Sequence, residues 1–295
     1  MPAPKKESTF LEFYGGKVRI EKKPWGDHFR FIKEGTKGGL ISSTSVTRLL
    51  DKSQVLIKWA VGLVGGHITS FLETAKSDSF SREEISLVVG EAVLKPEEKK
   101  VAGGEVGDII HTFAHDFAKA KIEKKKVPSI EHLDESDDKH RQALNGINAF
   151  LDWYNNNEVE FIKMEEPVYY NSLIAGDSKE GEPVIEYVGI MDLLARVNGV
   201  IKVVDYKTSK GVYSDQRYQV SSYKQAWNSN NDELQADSSL ILNFGKETGD
   251  LIQKDITQAE HQDDFDFGFK GLYLVAVREK TLEAERNQAK KDELQ

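Results

Sequence analysis

Gly189-Ile-Met-Asp-Leu-Leu-Ala-Arg-Val-Asn-Gly-Val-Ile-Lys-Val-Val-Asp-Tyr-Lys207 reads as two apolar runs joined by Asn198-Gly199. Asn-Gly between such runs marks a two-residue hairpin, because both central residues of the favoured turn need positive φ. A hairpin centred on that turn puts Asp192 opposite Asp205, since both pairs of positions have the same sum. Cross-strand partners lie about 4.5 to 5.5 Å apart, close enough for two carboxylates to share one cation. Without a cation or proton between them, such carboxylates repel. Asp205 and Lys207 are two apart and share a strand face. Tyr206 turns to the opposite face, which leaves its backbone carbonyl as a third oxygen. Taken alone, Asp-x-Lys at a strand end is far more often a surface salt bridge; Asp192 across the turn is what gives it weight.

Outward from the hairpin, the pattern predicts a strand over 159–164, strands over 185–196 and 200–206, a helix over 215–230, and strands over 239–244 and 251–256. A C-terminal helix follows, highly charged and exposed from Lys280. Upstream, 143–154 reads as a helix and 124–138 as a loop. Ser81 to Glu84 forms a capping box that opens a helix, and Pro96 suits the first turn of another, running to about Lys121. A helical pattern covers 44–75, with Gly65-Gly66 expected to interrupt it. Three short strands are expected over 10–13, 17–21 and 28–32. The class is α/β, a mixed central β-sheet flanked by helices with an αβββαβ core. N-terminal strands and helices (1–94) precede a core (95–295), the two expected to form one compact unit.

The chain has 295 residues and a formal net charge of −9, which argues against unspecific coating of nucleic acid. Residues 1–60 hold 12 Lys or Arg against 6 Asp or Glu, so the rest carries −15. That asymmetry fits either a polyanion gripped on one face or a solvated lysine-rich surface. Trp25, Phe29 and Phe31, among those basic residues, either stack on unpaired bases or pack a core. With no cysteine there is no disulfide, thiolate zinc site or iron–sulfur cluster, and the expected compartment is the cytoplasm. No apolar run approaches the length of a membrane span, so no membrane partner is expected.

Two more patterns join the hairpin. Gly107 and His111 lie on the helix before the sheet, where a small residue permits close helix–sheet approach and an imidazole could ligate a metal. His111 and His115 form an i, i+4 pair, but lack the glutamate of the zinc-protease motif. Gln219 and Tyr223 share one face of the helix after the hairpin, with Trp227 one turn on.

In this order, Gly107–His111, Gly189–Asp192, Asp205–Lys207 and Gln219–Tyr223 resemble the RecB-type branch of the PD-(D/E)xK nucleases. Residues 43–51 followed by Trp59 also look like the N-terminal helix of phage exonucleases and of the mitochondrial genome maintenance exonuclease. The resemblance implies a restriction-endonuclease-like fold and a metal-dependent deoxyribonuclease. It implies an exonuclease acting on DNA ends or single strands, with recombination or replication proteins as partners. A structure-specific endonuclease, an RNase or a non-catalytic DNA-binding subunit are the alternatives. It further implies one or two Mg²⁺ or Mn²⁺ ions on His111, Asp192, Asp205 and the Tyr206 carbonyl. Lys207 would orient or activate the attacking water, with Gln219 and Tyr223 supporting the site or touching DNA. No Gly-x-x-x-x-Gly-Lys-[Ser/Thr] loop is present, so no ATP is expected.

Overall fold

The computed structural model describes residues 8–26, 28–50, 52–75, 77 and 79–292. The central sheet is mixed. Strands β4 (Ile41–Ser42), β6 (Glu186–Val197), β7 (Val200–Lys207), β8 (Ser238–Phe244) and β9 (Leu251–Ile256) follow in that order, and β5 (Val159–Asn171) also pairs with β6. Asn198 and Gly199 both take positive φ, 50° and 84°, as the tight turn between β6 and β7 requires. The observed register, Leu193 with Val204 through Val197 with Val200, is the one that turn dictates.

This register stops short of the two aspartates, and β6 and β7 part. A strand has two edges, and β5 runs along one edge of β6 from Val197 to Glu186. The other edge belongs to β7 as far as Leu193, and then to β4, which pairs in parallel at Tyr187 and Val188. Between those partners the sheet forks. The side-chain alternation of β6 also slips there. Tyr187 and Met191 pack on one face, whereas Leu193, Ala195 and Val197 pack on the other. Strict period two would keep all five together. The slip falls at Asp192, where the β5 ladder lapses and Glu165 adopts φ 45°.

Helices cover both faces. The C-terminal half of α3 (Arg82–Ile122) and α4 (Asp138–Asn155) pack on one side around Phe113, Phe117, Phe150 and Trp153. On the other lie α6 (Ser214–Asn228) and a C-terminal helical run made of α7 (Gln258–Asp263), a π-helical turn (Asp264–Phe269) and α8 (Lys270–Asp292). Sequence periodicity gives no sign of the π-helical turn. It lets Gly268 sit against the Tyr218 ring of α6, where an added Cβ would clash with the ring edge. A three-stranded antiparallel sheet, β1 (Thr9–Phe13), β2 (Val18–Trp25) and β3 (His28–Lys33), caps the far end of β5 and β6 through Val18, Ile20 and Phe31 against Tyr169 and Val188. Phe31 is therefore core, while Trp25 is exposed and carries Arg30 over its ring at 5.5 Å.

The helical N-terminal region departs from expectation in three ways. The 44–75 pattern is two helices, α1 (Ser43–Thr47) and α2 (Ser53–Thr74), and α2 passes unbroken through Gly65-Gly66. Asp51, the end of the stretch likened to exonuclease helices, lies outside the described residues. The two helices expected around Ser81 and Pro96 are one, α3, 41 residues long. Ser81 does cap it reciprocally with Glu84. Pro96 sits inside it at the cost of one backbone hydrogen bond, so position 94/95 lies within a continuous helix. The expectation of no spanning-length apolar run is also corrected. Helix α2 is long and apolar enough to cross a membrane and buries none of its residues. Scattered Gly, Ser, Lys58 and His67 break the run in the sequence without shortening the helix. A short helix α5 (Ser172–Ala175) follows β5, which is longer than the predicted strand.

Candidate active site

The fork gathers the chemistry. Asp205 and Lys207 end β7 on one face, and the Lys207 ammonium lies 2.5 Å from Asp205 Oδ2. Asp192, at the slip in β6, turns its carboxylate into the fork and accepts the Tyr206 backbone N–H at 2.9 Å. Asp192 thus replaces the ladder partner that β7 loses when the strands part. In an extended strand the N–H and C=O of one residue point to the same edge. The Tyr206 carbonyl therefore opens into the fork beside Asp192. The Tyr206 ring is buried on the other face, 6.0 Å from Phe150 and 5.8 Å from Phe244, which fixes the backbone that carries both groups.

His111 approaches from α3, its ring meeting Tyr206 edge-on at 6.2 Å. Gly107, one turn earlier, explains how the helix comes so close, for a Cβ there would lie 2.9 Å from the Thr208 hydroxyl. His111, His115, Asp192 and Glu165 line a small cavity of about 170 Å³. His115 is held by Asp116 at 3.0 Å and Glu165 at 3.4 Å. Sequence patterns do not point to Glu165. Its one signal is the left-handed backbone opposite Asp192, which a sequence does not display.

The electrostatics are those of charges held in a dry place. Burial pushes the Asp205 carboxyl up to about 7, against the pull of Lys207, and the nearby Asp192 adds to the rise. Burial pulls the Lys207 ammonium down, but the Asp205 and Asp192 carboxylates outweigh it and hold it above its usual value. Burial likewise keeps His111 below the usual imidazole range, so it stands neutral near pH 7. Asp205 Oδ2 is buried and meets Lys207 without a well-directed hydrogen bond. Among the described residues, no three His, Asp or Glu side chains form a complete ligand set. The donors that do converge are Asp192, Asp205 and the Tyr206 carbonyl, all hard oxygens, with His111 at the rim. Oxygen donors of this kind fit Mg²⁺ or Mn²⁺, which keeps several waters and leans on one or two carboxylates plus substrate phosphate.

Gln219 and Tyr223 brace the fork from α6, and the Tyr223 hydroxyl lies near enough to feel the Asp205 and Asp192 carboxylates. Gln219 Nε2 donates to Thr44 Oγ1 at 2.9 Å, and the buried Tyr223 hydroxyl lies against the same threonine. Thr44 is in α1, directly after β4, so this bond ties the strand that replaces β7 to α6. Trp227 is buried in the same core. Gln219→Ala is expected to lower stability by about 1 kcal/mol, the net worth of one partly buried hydrogen bond. A urea melt would register this, and an unchanged midpoint would show that the bond holds nothing.

No curated protein matches the chain. Among solved structures, the crystal structure of SSO0001 is similar over 54% of this chain and 73% of its own, at 14% identity. Its TM-score of 0.24 is too low to bear on the fold. The profile of the PD-(D/E)XK nuclease superfamily matches residues 87–289, well over half of the chain, which include β6, β7 and α6 but not β4. The chain belongs to the PD-(D/E)XK nuclease superfamily.

Proposed function

We propose that the protein is a divalent-metal-dependent deoxyribonuclease, an exonuclease that hydrolyses DNA from ends or along single strands during replication, recombination or repair. The observation that carries this reading is the fork itself, where Asp192, Asp205, Lys207 and the Tyr206 carbonyl meet at a break in the sheet. Mg²⁺ or Mn²⁺ held there by Asp192, Asp205 and the carbonyl, with His111 beside them, would supply Lewis-acid activation of water and phosphate. Lys207 supplies a proton donor and a fixed positive charge at the same point, able to orient the attacking water or bind a non-bridging phosphate oxygen. Tyr223 and Gln219 keep α1 and β4 in place, so that the fork neither closes nor opens.

The test is cleavage of end-labelled linear DNA and of covalently closed circles, single- and double-stranded, in Mg²⁺, Mn²⁺ or EDTA, beside Asp192→Asn. An asparagine oxygen still accepts the Tyr206 N–H, so this variant is expected to fold and to lose cleavage. Linear DNA should be degraded only with metal, and circles should survive. Cleavage in EDTA, or full activity in Asp192→Asn, would sink the mechanism. Cut circles would make the enzyme an endonuclease.

A further inference from the structure

The chain leaves the fork through Thr208, Ser209 and Lys210, and these line a cleft of about 560 Å³ between α3, α4 and the β8–β9 turn. Lys99, Lys246 and Trp59 face the same cleft from α3, the turn and α2. Neighbouring lysines are matched with acids: Lys95 with Glu98, Lys100 with Glu97, and Lys139 with Glu105. Lys99, Lys210 and Lys246 make no salt bridge among the described residues. Lys246 instead donates to the Gly103 carbonyl at 2.9 Å, which fixes its ammonium against α3. Burial lowers its pKa, Glu247 opposes that shift, and Lys99 is near enough to add to it. Two cations held close in a partly buried cleft leave a place that an anion would stabilise. Acidic groups also reach the cleft, Asp138 (paired with Arg141), Glu247 and Asp250, all on the α4 and β8–β9 side. Among the described residues Trp59 is the only aromatic side chain in the lining, and it is half-buried on a helix with no buried residue.

We infer that this cleft is a substrate subsite for an unpaired strand, with Lys99 and Lys246 on a phosphate next to the scissile one and Trp59 stacked on a base. It rests on the nuclease reading, because continuity with Lys207 is what assigns the anion to a polynucleotide. Lysines against phosphate with an aromatic face for the base is how single strands are bound without regard to sequence. The net charge of −9 makes such a local cationic stretch the more decisive for where DNA can lie.

The subsite is tested by binding of a labelled oligothymidylate in EDTA, read as a function of salt, and by steady-state cleavage of the same strand in Mg²⁺. The Lys99→Gln/Lys246→Gln variant should bind more weakly, and its slope of log affinity against log salt should shrink by roughly 0.7, the share of the one phosphate left unneutralised. Trp59→Ala should raise Kd and KM on the order of tenfold with the slope unchanged. Lys99→Arg/Lys246→Arg should keep the wild-type slope, which a merely misfolded variant would not do. Both weakened variants should differ from wild type in KM and leave kcat in place. Wild-type slope and Kd in the double glutamine variant would overturn the subsite, all the more if Trp25→Ala or Arg30→Gln on the N-terminal sheet weakened binding instead. A wild-type protein that binds with the expected lysine dependence but cleaves nothing would retain the subsite and remove the nuclease reading.

Discussion

Lys207→Ala is expected to lower cleavage by about 10²- to 10³-fold, the usual loss when one preorganised donor is taken from a developing charge. The same change should make the metal-free protein sensitive to alkali. In the native fold, Asp205 is buried and its carboxyl is already raised to about 7 with Lys207 beside it. Without the ammonium, that rise must grow. The unfolded chain releases this proton near the ordinary aspartate value, about 4, whereas the fold keeps it to a higher pH. A folded-state pKa above the unfolded one means that stability falls as pH rises between the two values. The variant should therefore lose little below about pH 3, where both states are protonated, and progressively more up to pH 8. Divalent metal should return part of the loss by taking Lys207's place as the compensating charge. Thermal melts of both proteins at pH 5 and pH 8, with and without Mg²⁺, measure all of this. A destabilisation equal at the two pH values would mean that the Asp205–Lys207 pair is no more than a surface contact.

That pair shows how much a sequence can say. The Asn198-Gly199 turn and the alternation around it predict the register of β6 and β7, and that register is observed. Local chemistry suffices, because turn type and strand period are both set by neighbouring residues. What the alternation does not predict is that the strands part before the aspartates meet. The fork depends on β4, two residues from more than a hundred positions away, taking the edge that β7 leaves. Asp192 consequently reaches the Tyr206 N–H rather than lying face to face with Asp205 as a ladder partner. The same limit explains α3. Pro96 is a fair local reason to start a helix, and only the packing of its two halves shows that the helix continues through it. Glu165 is hidden for a third reason. Its backbone is left-handed only because β5 must follow β6 through the slip.

Gly189 joins the two kinds of information, and its replacement is the sharper test of the fork. The residue lies in β6 beyond the slip, where an added Cβ would stand 2.6 Å from Cε1 of the Tyr223 ring and 3.5 Å from Ser43 Cβ. Its φ is not positive, so the requirement is space and not backbone freedom. Tyr223 cannot swing aside cheaply, being buried with its hydroxyl beside the Thr44 and Gln219 side chains. Gly189→Val should cost about 1–3 kcal/mol, the range for overpacking a filled core. It should also lower cleavage, because displacing α6 carries α1 and β4 with it and alters the gap into which Asp192 projects. Gly189→Val with Tyr223→Ala vacates the space the new side chain needs, so the pair should be less destabilised than the sum of the single changes. Chemical denaturation of the four proteins gives that coupling directly. Strict additivity would mean that Gly189 and Tyr223 do not touch, and the fork would then have to be held open by something other than the α6–α1 contact.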